Sequence, residues 1–202
     1  MRSAPFRLRH LAPLRGRRNG DDGGGRDGLR IASVEASTPQ IDALAALLVD
    51  VVAAGGSVGF MHPLHADAAR TFWRDALHAA AAGRRIVLGA WDSDVLVGTV
   101  TLLLDCPPNQ PHRAEIGKMM TRPSHRGRGI ATILLREAER LAVQHARSLL
   151  VLDTAADEGA AGLYETLGFT LAGTIPDYAL KPHGGLTGTM IYWKRIGHGA
   201  AS

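Results

Sequence analysis

At 202 residues the chain is long enough for one domain with a substantial core, and 46% of it is hydrophobic. No apolar run approaches the roughly 20 residues of a membrane-spanning helix, and the lone Cys106 excludes an intramolecular disulfide or a multi-cysteine zinc site. The net charge of +4 invites a nucleic-acid reading, but residues 1–30 hold eight arginines and three aspartates, which leaves 15 basic and 16 acidic groups on the other 172 residues.

The basicity therefore belongs to a tail. Residues 1–28 are rich in Arg and Gly and lack helical or strand periodicity, so they cannot bury enough apolar surface to offset ordering. Disorder is expected there and in a short tail at 197–202, with one domain spanning 29–196. The near-neutral body argues against a nucleic-acid partner. The absence of an apolar span argues against a membrane, and the cysteine usage fits a cytoplasmic protein.

A first strand is predicted over Leu29–Glu35. After Pro39, Ile41, Leu44, Leu47, Leu48, Val51 and Val52 recur at spacings of three and four, the mark of one helix face. Gly55-Gly56 ends that helix. A loop over 57–64 leads to a second helix, about Ala66–Ala82, which stops at Gly83. Arg85–Trp91 and Val95–Leu104 flank the turn signal Asp92-Ser93-Asp94, so they read as an antiparallel hairpin.

A polar loop leads to a strand at His112–Met120, broken by Arg122-Pro123-Ser124. The segment 128–145 carries an apolar helical stripe. Leu149–Asp153 is a short buried strand. A helix about Glu158–Thr166 ends at Gly168, where a left-handed cap is usual. Strands about Phe169–Ile175 and Thr187–Trp193 close the chain. The order is that of a mixed α/β layer fold.

The unit that carries chemistry is strand 112–120, a glycine turn and helix 128–145. A helix N-terminus offers unpaired N–H groups and partial positive charge. Gly127 and Gly129 let a phosphate approach the backbone, and Arg126 and Arg128 add charge. The dinucleotide pattern fails at Thr132, and a Walker P-loop is absent. Alone, the segment says only that a pyrophosphate fits, and a surface turn with solvated arginines reads equally well.

Arg126-x-x-Gly129-x-Ala131 resembles the [QR]-x-x-G-x-[GA] signature of the GNAT superfamily of N-acetyltransferases. Ala160-x-x-Leu163-Tyr164-x-x-x-Gly168-Phe169 resembles its second signature. Gly55-Gly56-Ser57-Val58-Gly59-Phe60-Met61, Arg113-Ala114-Glu115, Leu152-Asp153-Thr154 and Ile175-Pro176-Asp177-Tyr178 resemble segments of tabtoxin-resistance-type acetyltransferases. The resemblance implies a mainly antiparallel central sheet with splayed strands, flanked by helices, and acetyl-CoA as acyl donor without a metal.

It further implies that Lys118, Met119, Met120 and Thr121 lie against the pantetheine arm. The backbone of Arg126, Gly127, Arg128, Gly129, Ile130 and Ala131, with Thr132, would hold the pyrophosphate. Tyr164 stands at the family's general-acid position, and the Met120 N–H is an oxyanion donor. Asp157 stands where the family often has a cofactor-contacting Asn, and ranks low because a carboxylate suits phosphates poorly.

Glu115 and Asp153 each interrupt an apolar strand, where a carboxylate is costly unless solvated or paired. On neighbouring strands they would face one cleft and serve as general base. The alternative is structural, with Glu115 paired to Arg113. His62-x-x-His65 is a poor metal signal.

The expected acceptor is the primary amine of a small amino-acid- or dipeptide-like molecule, as in toxin detoxification, with Phe60, Met61 and Tyr178 as apolar walls and Asp177 for its ammonium. Alternatives are a protein N-terminal or lysine acceptor and a non-catalytic acyl-CoA sensor. Either a monomer or a homodimer fits.

Overall fold

The computed structural model describes residues 28–197 apart from Glu158 and Ala160. The extension and tail expected at the two ends lie almost wholly outside the described residues. One seven-stranded sheet runs through the described part in the order β1-β2-β3-β4-β5-β7-β6. The strands are β1 (Leu29–Ser33), β2 (Arg85–Asp92), β3 (Val95–Leu103), β4 (Arg113–Thr121), β5 (Leu149–Ala155), β6 (Thr170–Leu180) and β7 (Leu186–Arg195). The helices are α1 (Thr38–Ala53), α2 (Ala66–Ala81), α3 (Ile130–Gln144) and α4 (Ala161–Thr166). No helix among the described residues is long and apolar enough to cross a membrane.

All strand pairs are antiparallel except β4 and β5. That parallel pair is bridged by α3, the kind of crossover such a pair requires. Each face of the sheet carries its own core. On one, α3 buries Ile130, Leu134, Leu135, Ala138 and Ala142 against Leu88, Val100, Leu102, Ala114, Ile116, Leu150 and Leu152. On the other, α1 and α2 bury Leu44, Leu48, Val52 and Trp73 with Val87, Trp91 and Met120. Gly98 of β3 lets α3 approach closely, since a Cβ there would sit 2.9 Å from Ile130 Cγ2.

The β4–β5 ladder holds only from Arg113↔Leu149 to Ile116↔Leu152. Beyond it both strands continue without each other, β4 to Thr121 and β5 to Ala155. A bulge accompanies the parting: Thr101 faces Gly117 and Thr99 faces Met120, so Lys118 and Met119 share one place in the register. Lys118 takes φ 49°, a left-handed backbone uncommon for a side-chain-bearing residue. The splayed, mainly antiparallel sheet is therefore present as expected.

Several boundaries differ from the sequence reading; β5 and β7, for example, run on to Ala155 and Arg195. Helix α3 starts at Ile130 because Gly129, at φ 76°, is its N-cap. Strand β1 stops at Ser33, after which the Glu35 N–H bonds the Gln40 side chain at 2.7 Å. Strand β6, expected to end at about Ile175, runs to Leu180 through Pro176-Asp177. It is the edge strand and exposed throughout, so Pro176 forfeits no ladder bond on its open side. A register shift between Ile175 and Ala179, with Asp177 at φ 50°, absorbs the irregularity.

Candidate functional site

One cavity of about 1130 Å³ runs from the start of α3, through the gap between β4 and β5, to the α1–α2 loop. At the α3 end, the chain leaves β4 through a single 3₁₀ turn, Pro123–His125. Gly127 and Gly129 follow at φ 78° and 76°, and nothing lies within 4 Å of where a Cβ would stand on either. The first helical bond of α3 runs from the Ile133 N–H to the Gly129 carbonyl. The preceding N–H groups are the unpaired donors of a helix start, and they border the cavity. Arg126 and Arg128 are exposed and form no ion pair among the described residues. His125 sits 3.7 Å from Asp92.

Every residue expected at the cofactor lines this cavity except Arg128. In the middle stand Met119, Met120 and Thr121 of the unpaired stretch of β4, facing Leu163 and Tyr164 of α4. Tyr164 is buried, its ring 6.0 Å from Phe169 and 5.7 Å from Tyr192.

Glu115 and Asp153 line the same cavity. Glu115 stands opposite Val151 on β5, and Asp153 is the next residue along that face. Both point away from the α3 side, which Ala114, Ile116, Leu150 and Leu152 occupy. The structural contact weighed for Glu115 is also present: Arg113 donates to it at 3.1 Å. Asp153 makes no hydrogen bond or ion pair among the described residues, and Lys118 feels its charge. Burial pushes the Lys118 ammonium below its ordinary value; Asp153 opposes this and Arg85 adds to it. The Lys118 side chain reaches toward the α1–α2 loop and α2, with Nζ 5.9 Å and 5.5 Å from the Phe60 and Phe72 ring centres.

Two segments line the far end and meet each other. The tip of the β6–β7 hairpin meets the α1–α2 loop: the His62 N–H donates to the Pro182 carbonyl at 2.9 Å, and the His62 and His183 rings lie 4.5 Å apart. His183 Nε2 lies 3.1 Å from the Ala53 carbonyl. Asp157 holds this hairpin through Thr187 at 2.6 Å and Lys181 at 3.0 Å, so its carboxylate is engaged there.

Tyr178 lines the cavity as the sequence suggested, but Phe60, Met61 and Asp177 do not. Phe60 packs edge-on against Phe72, and Met61 is 46% exposed. Arg85, Thr101, Phe72 and Gly117 line the cavity without having been singled out. No motif marks them: Arg85, Thr101 and Gly117 meet only through strand register, and Phe72 comes from α2.

Several solved structures share this fold. An N-acetyltransferase from Staphylococcus aureus Mu50 is 20% identical and superposes with a TM-score of 0.72, covering 85% of this chain and 100% of its own. YncA of Salmonella typhimurium, assigned as an acetyltransferase and solved with its cofactor acetyl-CoA, is 18% identical, with a TM-score of 0.68 over 87% and 98% of the two chains. A ribosomal-protein-alanine N-acetyltransferase from Brucella melitensis is 21% identical, with a TM-score of 0.68 over 82% and 99%. At these identities the likeness is one of fold. The model of the acetyltransferase (GNAT) family matches residues 57–169, more than half of the chain and the whole stretch from the α1–α2 loop to Phe169. The chain belongs to the acetyltransferase (GNAT) family.

Proposed function

We propose that this protein moves an acetyl group from acetyl-CoA directly to the primary amine of a small amino-acid- or dipeptide-like molecule. The observation that carries the reading is that Glu115 and Asp153 line the cavity together with the α1–α2 loop and the β6–β7 hairpin, two segments that the His62–Pro182 hydrogen bond joins. Two joined segments at this end suit a small amine; a peptide acceptor calls for an open groove.

The residues fit the donor. The glycine turn and start of α3 suit its pyrophosphate, and the unpaired edge of β4 over 117–121 suits a chain of amides. Bound there, acetyl-CoA supplies an activated thioester. A new C–N bond forms as the C–S bond breaks, so one proton must leave the amine and one must reach the thiolate. Asp153 or Glu115 accepts the first, and Tyr164 donates the second. Glu115 is held by Arg113, which leaves Asp153 the less engaged of the two.

The four segments that resemble tabtoxin-resistance-type enzymes support an acceptor of that kind, a toxin or antibiotic amine, because each contributes to the acceptor end. Gly55–Gly59, Glu115, Asp153 and Tyr178 all line it. Free-thiol release from acetyl-CoA, followed across free amino acids, dipeptides, polyamines and longer peptides, tests the reading. Turnover of the small amines is expected, and turnover of longer peptides alone would overturn it.

A further inference from the structure

Two buried polar groups at the acceptor end have no partner. Arg85 Nε and Thr101 Oγ1 lack a hydrogen bond among the described residues, and both residues line the cavity. Thr101 is 3% exposed. An unpaired buried donor is costly, so such groups commonly wait for a ligand or a bound water.

The sheet brings them together. Arg85 stands opposite Leu103 on β3, and Thr101, two residues along on the same face, stands opposite Gly117 on β4. That diagonal is within reach of an arginine. Gly117 has no side chain beside Thr101, and Leu103 leans toward it, its Cδ1 3.1 Å from where a Cβ would stand. Lys118 adds a second cation, whose charge Asp153 favours and Arg85, more weakly, opposes. Two cations facing one partly desolvated cavity call for an anion between them. Glu115 and Asp153 line the same cavity.

We propose that Arg85, Thr101 and Lys118 form a subsite for the acid group of the acceptor, so that the substrate is a zwitterion. Its amine lies toward Glu115 and Asp153, and its carboxylate, or an equivalent phosphorus acid, lies toward Arg85. The Arg85 fork and the Thr101 hydroxyl donate to the acid oxygens, and Lys118 supplies a further donor. The assignment rests on the acetyl-transfer reading for the direction of the amine, but not for the anion contact itself.

The test compares free L-amino acids with their carboxamides in wild type, Arg85→Gln and Thr101→Val. Binding is read by ligand-detected NMR with CoA present, and turnover by thiol release. In wild type the acids should bind about tenfold or more tightly than the amides, the size of a charge-assisted hydrogen bond. In Arg85→Gln that ratio should collapse toward one, and in Thr101→Val it should shrink, with both variants melting cooperatively. Equal binding of acids and amides by wild type, or an unchanged ratio in folded Arg85→Gln, overturns the subsite. Arg85-dependent acid binding without turnover upholds the subsite and sinks the acetyl-transfer reading. Turnover that ignores the acid group does the reverse.

Discussion

The Asp157 carboxylate accepts a hydrogen bond from the Thr187 hydroxyl at 2.6 Å, which ties the loop after β5 to the start of β7. Lys181 near the hairpin tip pairs with the other oxygen at 3.0 Å. These bonds, that from Thr187 first, hold the carboxyl below the usual aspartate range. A depressed folded pKa gives stability that is present above the ordinary aspartate value and lost as pH falls through the lower folded one. The tie is therefore intact at neutral pH. Asp157→Ala should raise the KM for the acceptor while that for acetyl-CoA holds. Amide hydrogen exchange over 181–185 should quicken.

Gly129 bears on the other substrate. At φ 76° an alanine costs about 1–2 kcal/mol of backbone strain. Its methyl would meet no protein atom, since nothing lies within 4 Å, but it would stand where a phosphate approaches. Gly129→Ala should raise the acetyl-CoA KM by about tenfold, a loss on the scale of one hydrogen bond to a charged group. Gly173→Ala, on the exposed β6 and equally open, is the control and should leave it in place.

Tyr164 separates packing from chemistry. Phenylalanine keeps the ring between Phe169 and Tyr192 and removes only the hydroxyl. If that hydroxyl protonates the leaving thiolate, kcat falls by about 100-fold. Acetyl-CoA binding, followed by calorimetry, should change little.

Lys118 links stability to pH with a definite sign. Its folded pKa lies below the ordinary lysine value of 10.5, with burial as the first cause. The unfolded chain therefore binds the proton more readily, and stability rises with pH between the folded value and 10.5. Lys118→Met should stabilise the ligand-free protein at neutral pH. The gain should shrink as pH climbs toward 10.5, which melting curves across pH will show.

Gly127, Gly129 and the stripe of α3 were legible because a helix start is local. Glu115 and Asp153 were legible because charges interrupt apolar strands. Arg85 follows Arg84 at a strand entry and reads as solvated, and Thr101 is an ordinary strand residue. Their meeting depends on the β2–β3–β4 register, which no short window contains. The bulge at Lys118 and the course of β6 through Pro176 likewise follow from pairing partners. Asp157 could be ranked low at the cofactor, but its tie to Thr187 required the hairpin to be in place.

The central claim is that the carboxylates where β4 and β5 part take the proton from the acceptor amine. Thiol release from acetyl-CoA by Asp153→Asn, Glu115→Gln and the double variant tests it most directly, on the best acceptor of the wild-type panel. Loss of a general base costs about 10²–10⁴-fold. At least one single variant should fall by that factor in kcat with acetyl-CoA affinity retained, and the double variant should be no better. Near-normal turnover in all three would contradict the account.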